Sequence, residues 1–331
     1  MRKLARGDAF TTAAPLWAAY LAAALIVVTP LGAAPAGGAT APADGQTRII
    51  LGYLPSNAFL AAFVAKDQGF FAGHGLNVSF DMLPSGPMLR RALADGRVQA
   101  GTLTAPALLR QDDAGADLQA VAGASMQSRD HSTAGIVAAA HSNVHGAADF
   151  RGKTVGVPGL NGVNHLAFMK WLQDHRVDPT QVHFAAVTLP QMADQLKAGR
   201  IDAALPVEPF LDAIVHSGAG VLVAKFPGET GDSFLVGLYA MQRSWVKSNP
   251  AAVGAFRDSL RDGVRWIAAN PAAARKIQMR YLKVSEAAAL SVPLPEYTTD
   301  VSAAEIQFWI ELCRRFGATQ TSLPAAQVLA D

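Results

Sequence analysis

The chain has 331 residues, of which 50% are hydrophobic and 16% charged, enough apolar material for one large core or two moderate ones. Its formal net charge is +2, and beyond residue 34 it holds 25 basic against 25 acidic residues, which removes the electrostatic case for binding nucleic acid or an anionic membrane. Cys313 is the single cysteine, so an internal disulfide and a cysteine-rich metal site are both excluded.

At the N-terminus, Arg2, Lys3 and Arg6 precede an uncharged apolar run from Leu16 to Val28 and a stretch of small residues, Leu31 to Ala43. This is the pattern of a secretory signal peptide, expected to occupy residues 1–34 with cleavage between 34 and 43. The apolar run is too short for the ~20 residues that span a bilayer. Residues 35–47, rich in Gly, Ala and Pro, read as a flexible lead-in.

Strand and helix then alternate. Arg48–Tyr53 is expected as a strand, Ala58–Gln68 as a helix ended by Gly69, Leu76–Met82 as a strand, Pro87–Ala94 as a helix and Val98–Thr102 as a strand, the order of parallel βαβ units. Gly135–Ala140 is a further apolar strand. A second series begins at Lys153, with a strand at Thr154–Pro158 and a helix around Leu166–Leu172. Phe234–Tyr239 is a strand without a following helix. Beyond it the chain turns helical, at Pro250–Ala269, Pro271–Leu282 and Ala303–Phe316, where Cys313 falls on the apolar face.

The two series repeat each other. Leu93-Ala-Asp-Gly96-Arg97-Val-Gln-Ala100 returns 103 residues later as Leu196-Lys-Ala-Gly199-Arg200-Ile-Asp-Ala203; each reads as a helix end, a Gly cap and a short buried strand. The expectation is an α/β fold of two similar lobes. Residues 48–135 and 240–331, with the C-terminal helices, form lobe 1, and residues 141–232 form lobe 2. Strands at 135–140 and 234–239 cross between them as hinges around a cleft.

At this point a family resemblance enters. Gly69-Phe-Phe71 with Gly75-Leu-Asn-Val78, Asp149-Phe-Arg-Gly152-Lys-Thr-Val-Gly156-Val-Pro158, and Gly199-Arg-Ile-Asp202-Ala203 followed by Val207-Glu208-Pro209 resemble motifs of the ABC-transporter periplasmic substrate-binding proteins of the nitrate, sulfonate and taurine type, the NMT1-like family. The resemblance runs over residues 48–282. It implies a type II periplasmic-binding fold, a small-molecule ligand, a membrane permease with a cytoplasmic ATPase as partner, a periplasmic monomer, and neither cofactor, metal nor catalysis. Sulfonate, nitrate-like or other small organic anions come first as ligands. A neutral or cationic heterocycle, such as a thiamine pyrimidine precursor, is the alternative.

In open parallel sheets, ligands sit beyond the carboxyl ends of strands, where helix N-termini present N–H groups and partial positive charge. That rule selects Ser56 and Asn57, Ser85 and Gly86, Thr104 and Ala105, Asn161, Gly162 and His165, Thr188, and Glu208. Ser56, Asn57, Ser85 and Thr188 are equally ordinary helix caps. His165 either donates to an anion or faces solvent. Glu208, the Glu-Pro position by resemblance, either meets the ligand or braces its loop. Arg129 and His131, before the first hinge strand, are the positive groups an anion would pair with, or else surface charges.

No Gly-x-Ser-x-Gly, phosphate loop or His-Glu-x-x-His pattern is present. A desulfinase-like enzyme on the same fold would need a cysteine in the cleft, and Cys313 falls on a C-terminal helix instead.

Overall fold

The computed structural model describes residues 45–83, 85–128, 130–226, 233–282, 289–290, 293–321 and 323–330. The segment expected to be a signal peptide, most of the expected lead-in and Arg129 therefore lie outside the described residues.

Among the described residues the strands are β1 (Thr47–Tyr53), β2 (Leu76–Met82), β3 (Ala100–Thr104), β4 (Leu118–Gln127), β5 (Ala134–Ala139), β6 (Thr154–Val157), β7 (His183–Ala186), β8 (Ala203–Ala204), β9 (Gly220–Phe226), β10 (Phe234–Gln242) and β11 (Glu296–Tyr297). They form two sheets, ordered β11-β4-β10-β3-β1-β2 and β7-β6-β8-β5-β9. β1 runs parallel to β2 and β3, and β6 parallel to β7 and β8. β10 and β5 are the antiparallel intruders, β10 between β3 and β4, β5 between β8 and β9. This mixed α/β, two-sheet architecture is the expected type II fold.

The internal repeat has a structural meaning. Helix Gly86–Ala94 and helix Met192–Lys197 each end ahead of a left-handed glycine, Gly96 at φ 68° and Gly199 at φ 64°, a conformation glycine adopts without steric cost. The chain then enters β3 or β8, each beside the first parallel strand of its sheet: Ala100 pairs Leu51, and Ala203 pairs Val155.

Strand β4 carries no sequence signal of its own. Its Leu118-Gln-Ala-Val-Ala-Gly-Ala-Ser-Met-Gln127 is poor in the branched and aromatic residues that favour strands. It holds by position, paired on one side with β10 and on the other with β11, and nearly all of it is buried. The strands placed at 135–140 and 234–239 each lie within a single sheet. The chain passes between the sheets in the connections ahead of them, from Gln127 to Ala134 and from Phe226 to Phe234.

One apolar core runs through both sheets, from Leu103, Leu108 and Leu238 to Val155, Phe168 and Trp171. A second lies under the other face of the first sheet, around Ile49, Phe63, Phe71, Tyr239 and Phe256. The C-terminal helices cover these cores. Helix Pro250–Ala269 packs on helix Leu60–Asp67. Helix Ala303–Arg315 lies on helix Ala105–Asp113 and also touches helix Val163–Asp174 of the second sheet. Its Trp309, fully buried, donates its indole N–H to Leu235 O at 2.7 Å. No helix among the described residues is long and apolar enough to cross a membrane.

Candidate functional site

A cavity of about 280 Å³ opens between the two sheets, near the lower end of the ~300–1,000 Å³ common for small-molecule sites. It lies at the carboxyl ends of parallel strands, as the topology rule requires. Pro55 to Ala58 follow β1, Asn164 follows β6, and Val207 to Phe210 follow β8. Ser125, Met126 and Gln127 close β4, Val236 opens β10, and Gln278 and Leu282 reach in from helix Pro271–Leu282.

Of the residues picked from sequence, Ser56, Asn57 and Glu208 line this cavity. Ser56 is also a cap: its Oγ accepts the Ala58 N–H at 3.2 Å. Asn57 gives its backbone carbonyl to the Tyr297 hydroxyl at 2.9 Å. Glu208 lines the cavity, and its Oε2 accepts the Asp212 N–H at 3.1 Å. Burial raises its pKa. The Asp212 N–H, Lys225 and His216 pull it the other way, and the Asp212 charge adds to the rise.

The others sit elsewhere. Ser85 and Gly86 start the helix after β2, the outermost strand of its sheet, and neither lines the cavity. Thr104 caps the helix after β3, its Oγ1 accepting the Ala107 N–H at 3.4 Å. Ala105 is 0% exposed, a core residue. His131 is exposed to solvent, and Thr188 is an exposed cap whose hydroxyl donates to Gln191 Oε1 at 2.8 Å; its neighbour Leu189 lines the cavity instead.

His165 is neither solvent-facing nor at the cavity wall. It is 6% exposed, its ring edge-on to Phe184, and Nδ1 accepts the Asn161 N–H at 2.9 Å. That bond puts the proton of the neutral ring on Nε2, and desolvation pushes the pKa down to about 4. The same turn holds Asn161 at φ 59° and Gly162 at the N-cap of helix Val163–Asp174. Inside it, Asn164 donates its amide to Leu205 O at 3.2 Å and lines the cavity.

Sequence reasoning missed Ser125, Gln127, Thr133, Asn164 and Gln278. Gln127 and Thr133 form a closed pair: Gln127 Oε1 accepts the Thr133 N–H at 2.9 Å, and Nε2 donates to Thr133 Oγ1 at 2.6 Å. They flank the first passage between sheets. Gln127 ends a strand that carries no sequence signal of its own, and Gln278 had none either, since a distant helix delivers it.

Comparison with known proteins follows the same architecture. The model of the NMT1-like family matches residues 43–281. The chain is similar to the nitrate/nitrite binding protein NrtA of Nostoc sp., 24% identical over 69% of this chain and 56% of that one. It therefore spans little more than half of that relative. It is similar to the riboflavin-binding protein RibY of Chloroflexus aurantiacus, 25% identical over 87% of this chain and 80% of the other. Among solved structures, the alkanesulfonate-binding protein SsuA from Xanthomonas axonopodis, bound to MOPS, shares the fold with a TM-score of 0.70. It is 19% identical over 87% of this chain and 99% of its own.

Proposed function

Because this chain belongs to the NMT1-like family, we propose that it is the solute-binding component of an ABC importer, acting in the periplasm as a monomer. It takes one small molecule into the cavity between its sheets and presents it to a membrane permease served by a cytoplasmic ATPase. The observation that carries this reading is the lining: Ser56, Gln127 and Val236 belong to one sheet's side, and Asn164, Val207 and Glu208 to the other's. A solute that touches both sides binds one arrangement of the two sheets better than another, which is what a capture-and-deliver protein needs.

The names of the relatives span nitrate, riboflavin and an alkanesulfonate, so membership of the family leaves the ligand open. No catalytic step enters the reading. Cys313, the nucleophile that a desulfinase-like alternative would need, is fully buried, with its thiol pushed up to about 12 by desolvation. Removal of the leader near Ala34 belongs to the same proposal, and N-terminal sequencing of periplasmic protein tests it. A product still starting at Met1 and held in the membrane would count against export.

A thermal-shift screen of small solutes tests the binding itself. A ligand at a hundredfold excess over its dissociation constant adds ~2.7 kcal/mol of stability. A raised melting temperature with one solute per chain by calorimetry supports the reading. A panel in which nothing binds the folded protein would defeat it.

A further inference from the structure

We infer that residues 295–300 are a positioning strap for the solute cavity, with Tyr297 holding the loop after β1 against the end of β4. The inference rests on the solute-binding reading. It gives a part at that site to a segment beyond residue 281, where the match to the NMT1-like family ends. Three observations carry it.

The first is where the strap lies. Glu296 and Tyr297 form β11, paired antiparallel with Met126 and Ser125, and both of those line the cavity. Pro295, just ahead of β11, is buried in the same wall. The pairing continues past the strand: the Thr298 N–H donates to Ala124 O at 3.3 Å, and the Gly123 N–H to Thr299 O at 3.0 Å.

The second is how closely it lies. A Cβ at Gly123 would stand 2.3 Å from the Asp300 carbonyl oxygen. Backbone meets backbone there, and glycine is the residue that leaves the strap room to seat.

The third is what it grips. The Tyr297 hydroxyl donates to Asn57 O at 2.9 Å. Tyr239, on β10, donates to Phe59 O at 3.4 Å. Within the same turn, Ser56 accepts the Ala58 N–H through its Oγ and the Phe59 N–H through its carbonyl. The turn's donors are thus held by its own serine and its acceptors by tyrosines from distant strands. Burial of the Tyr297 hydroxyl, with Tyr239 nearby, pushes its pKa well up, so it remains a donor at every working pH. Ser56, Asn57 and Ala58 all line the cavity, and a site is only as well defined as the groups that lock its wall.

The test is Tyr297→Phe, which removes one hydroxyl and keeps the ring. In the solute-free mature chain, hydrogen exchange at the Ala58 and Phe59 amides should accelerate about fivefold or more. Calorimetric titration with nitrate, ethanesulfonate and riboflavin should show the tightest of them weakened by a similar factor, with circular dichroism unchanged. Gly123→Val, which drives the strap off β4 by contact with backbone, should reproduce both effects. If one variant fails to fold, the other carries the test. An affinity that stays at the wild-type value overturns the inference, whether or not the melting temperature falls, and leaves the solute-binding reading standing. Silence from the three probes and from the wider solute panel overturns that reading, and this inference with it.

Discussion

Gln127 and Thr133 hold each other by two hydrogen bonds across the first passage between the sheets, at 2.9 and 2.6 Å, and both line the cavity. The glutamine ends β4 and the threonine stands just ahead of β5. One pair of side chains therefore fixes both the wall of the site and the path of the chain between lobes. Gln127→Ala leaves the buried Thr133 N–H without its acceptor, a loss of about 1–3 kcal/mol. Urea denaturation should show that loss, and solute affinity should fall with it. An unchanged midpoint would mean that the pair is incidental.

Gly263 decides how closely helix Pro250–Ala269 approaches helix Leu60–Asp67. A Cβ there would stand 2.5 Å from the Ala61 carbonyl oxygen, a backbone atom that cannot swing aside. Gly→Ala inside a helix ordinarily gains up to ~1 kcal/mol; here the contact outweighs that gain. Gly263→Ala should cost about 1–3 kcal/mol through overpacking, read as a lowered melting temperature. A stabilised variant would show that the helices separate freely.

Two buried groups titrate in opposite senses. Burial pushes His165 down to about 4 from 6.5, so the folded state binds its proton weakly. The stability it contributes is complete above pH 6.5 and is lost as the pH falls through 4. Burial pushes Asp112 up to about 6 from 3.8. Its folded state holds the proton, and stability is lost as the pH rises from 3.8 to 6. Relative to wild type, His165→Gln should lose stability more steeply as the pH rises between 4 and 6, and Asp112→Asn less steeply. Each difference is at most about 1.4 kcal/mol per pH unit. Urea midpoints at pH 4, 5, 6 and 7 measure both, and parallel profiles would refute both assignments.

Rotation of one lobe against the other should close the cavity on its solute. Small-angle scattering is expected to give a smaller radius of gyration with bound solute, since a hinge motion needs little change inside either lobe. Arg110 spans the lobes elsewhere, its Nη1 3.3 Å from both the Leu160 and Asn161 carbonyl oxygens. It is exposed, so Arg110→Ala should cost no more than ~1 kcal/mol, a few-fold in affinity. An equal radius at saturation would point to a preformed rigid site.

Cys313 should resist alkylation in the native chain at pH 8, because burial both hides the thiol and suppresses the thiolate that reacts. Mass spectrometry after iodoacetamide treatment should show no adduct until denaturant is added. Rapid native labelling would reopen a nucleophilic role.

What could be read from the amino acids was whatever depends on neighbours in sequence. The Leu93 and Leu196 repeats could be matched by eye, and even their side chains act alike. Gln99 Oε1 accepts the Ile50 N–H at 2.9 Å, as Asp202 Oδ2 accepts the Thr154 N–H at 2.8 Å. Gly96 and Gly199 announce their own left-handed turns. The loops at strand ends were legible too, and of the residues they offered Ser56, Asn57 and Glu208 line the cavity.

The remaining lining depended on elements distant in sequence. Ala105 and His165 occupy helix starts as expected, yet one is in the core and the other is buried against Phe184, because burial depends on what packs above a turn. Strand β4 exists because β10 and β11 pair with it, and Gln278 reaches the cavity because its helix folds back over the first lobe. Local propensity fixes a residue's own backbone; which side chains share one cavity is set by long-range strand pairing and helix docking, and only the tertiary structure contains those.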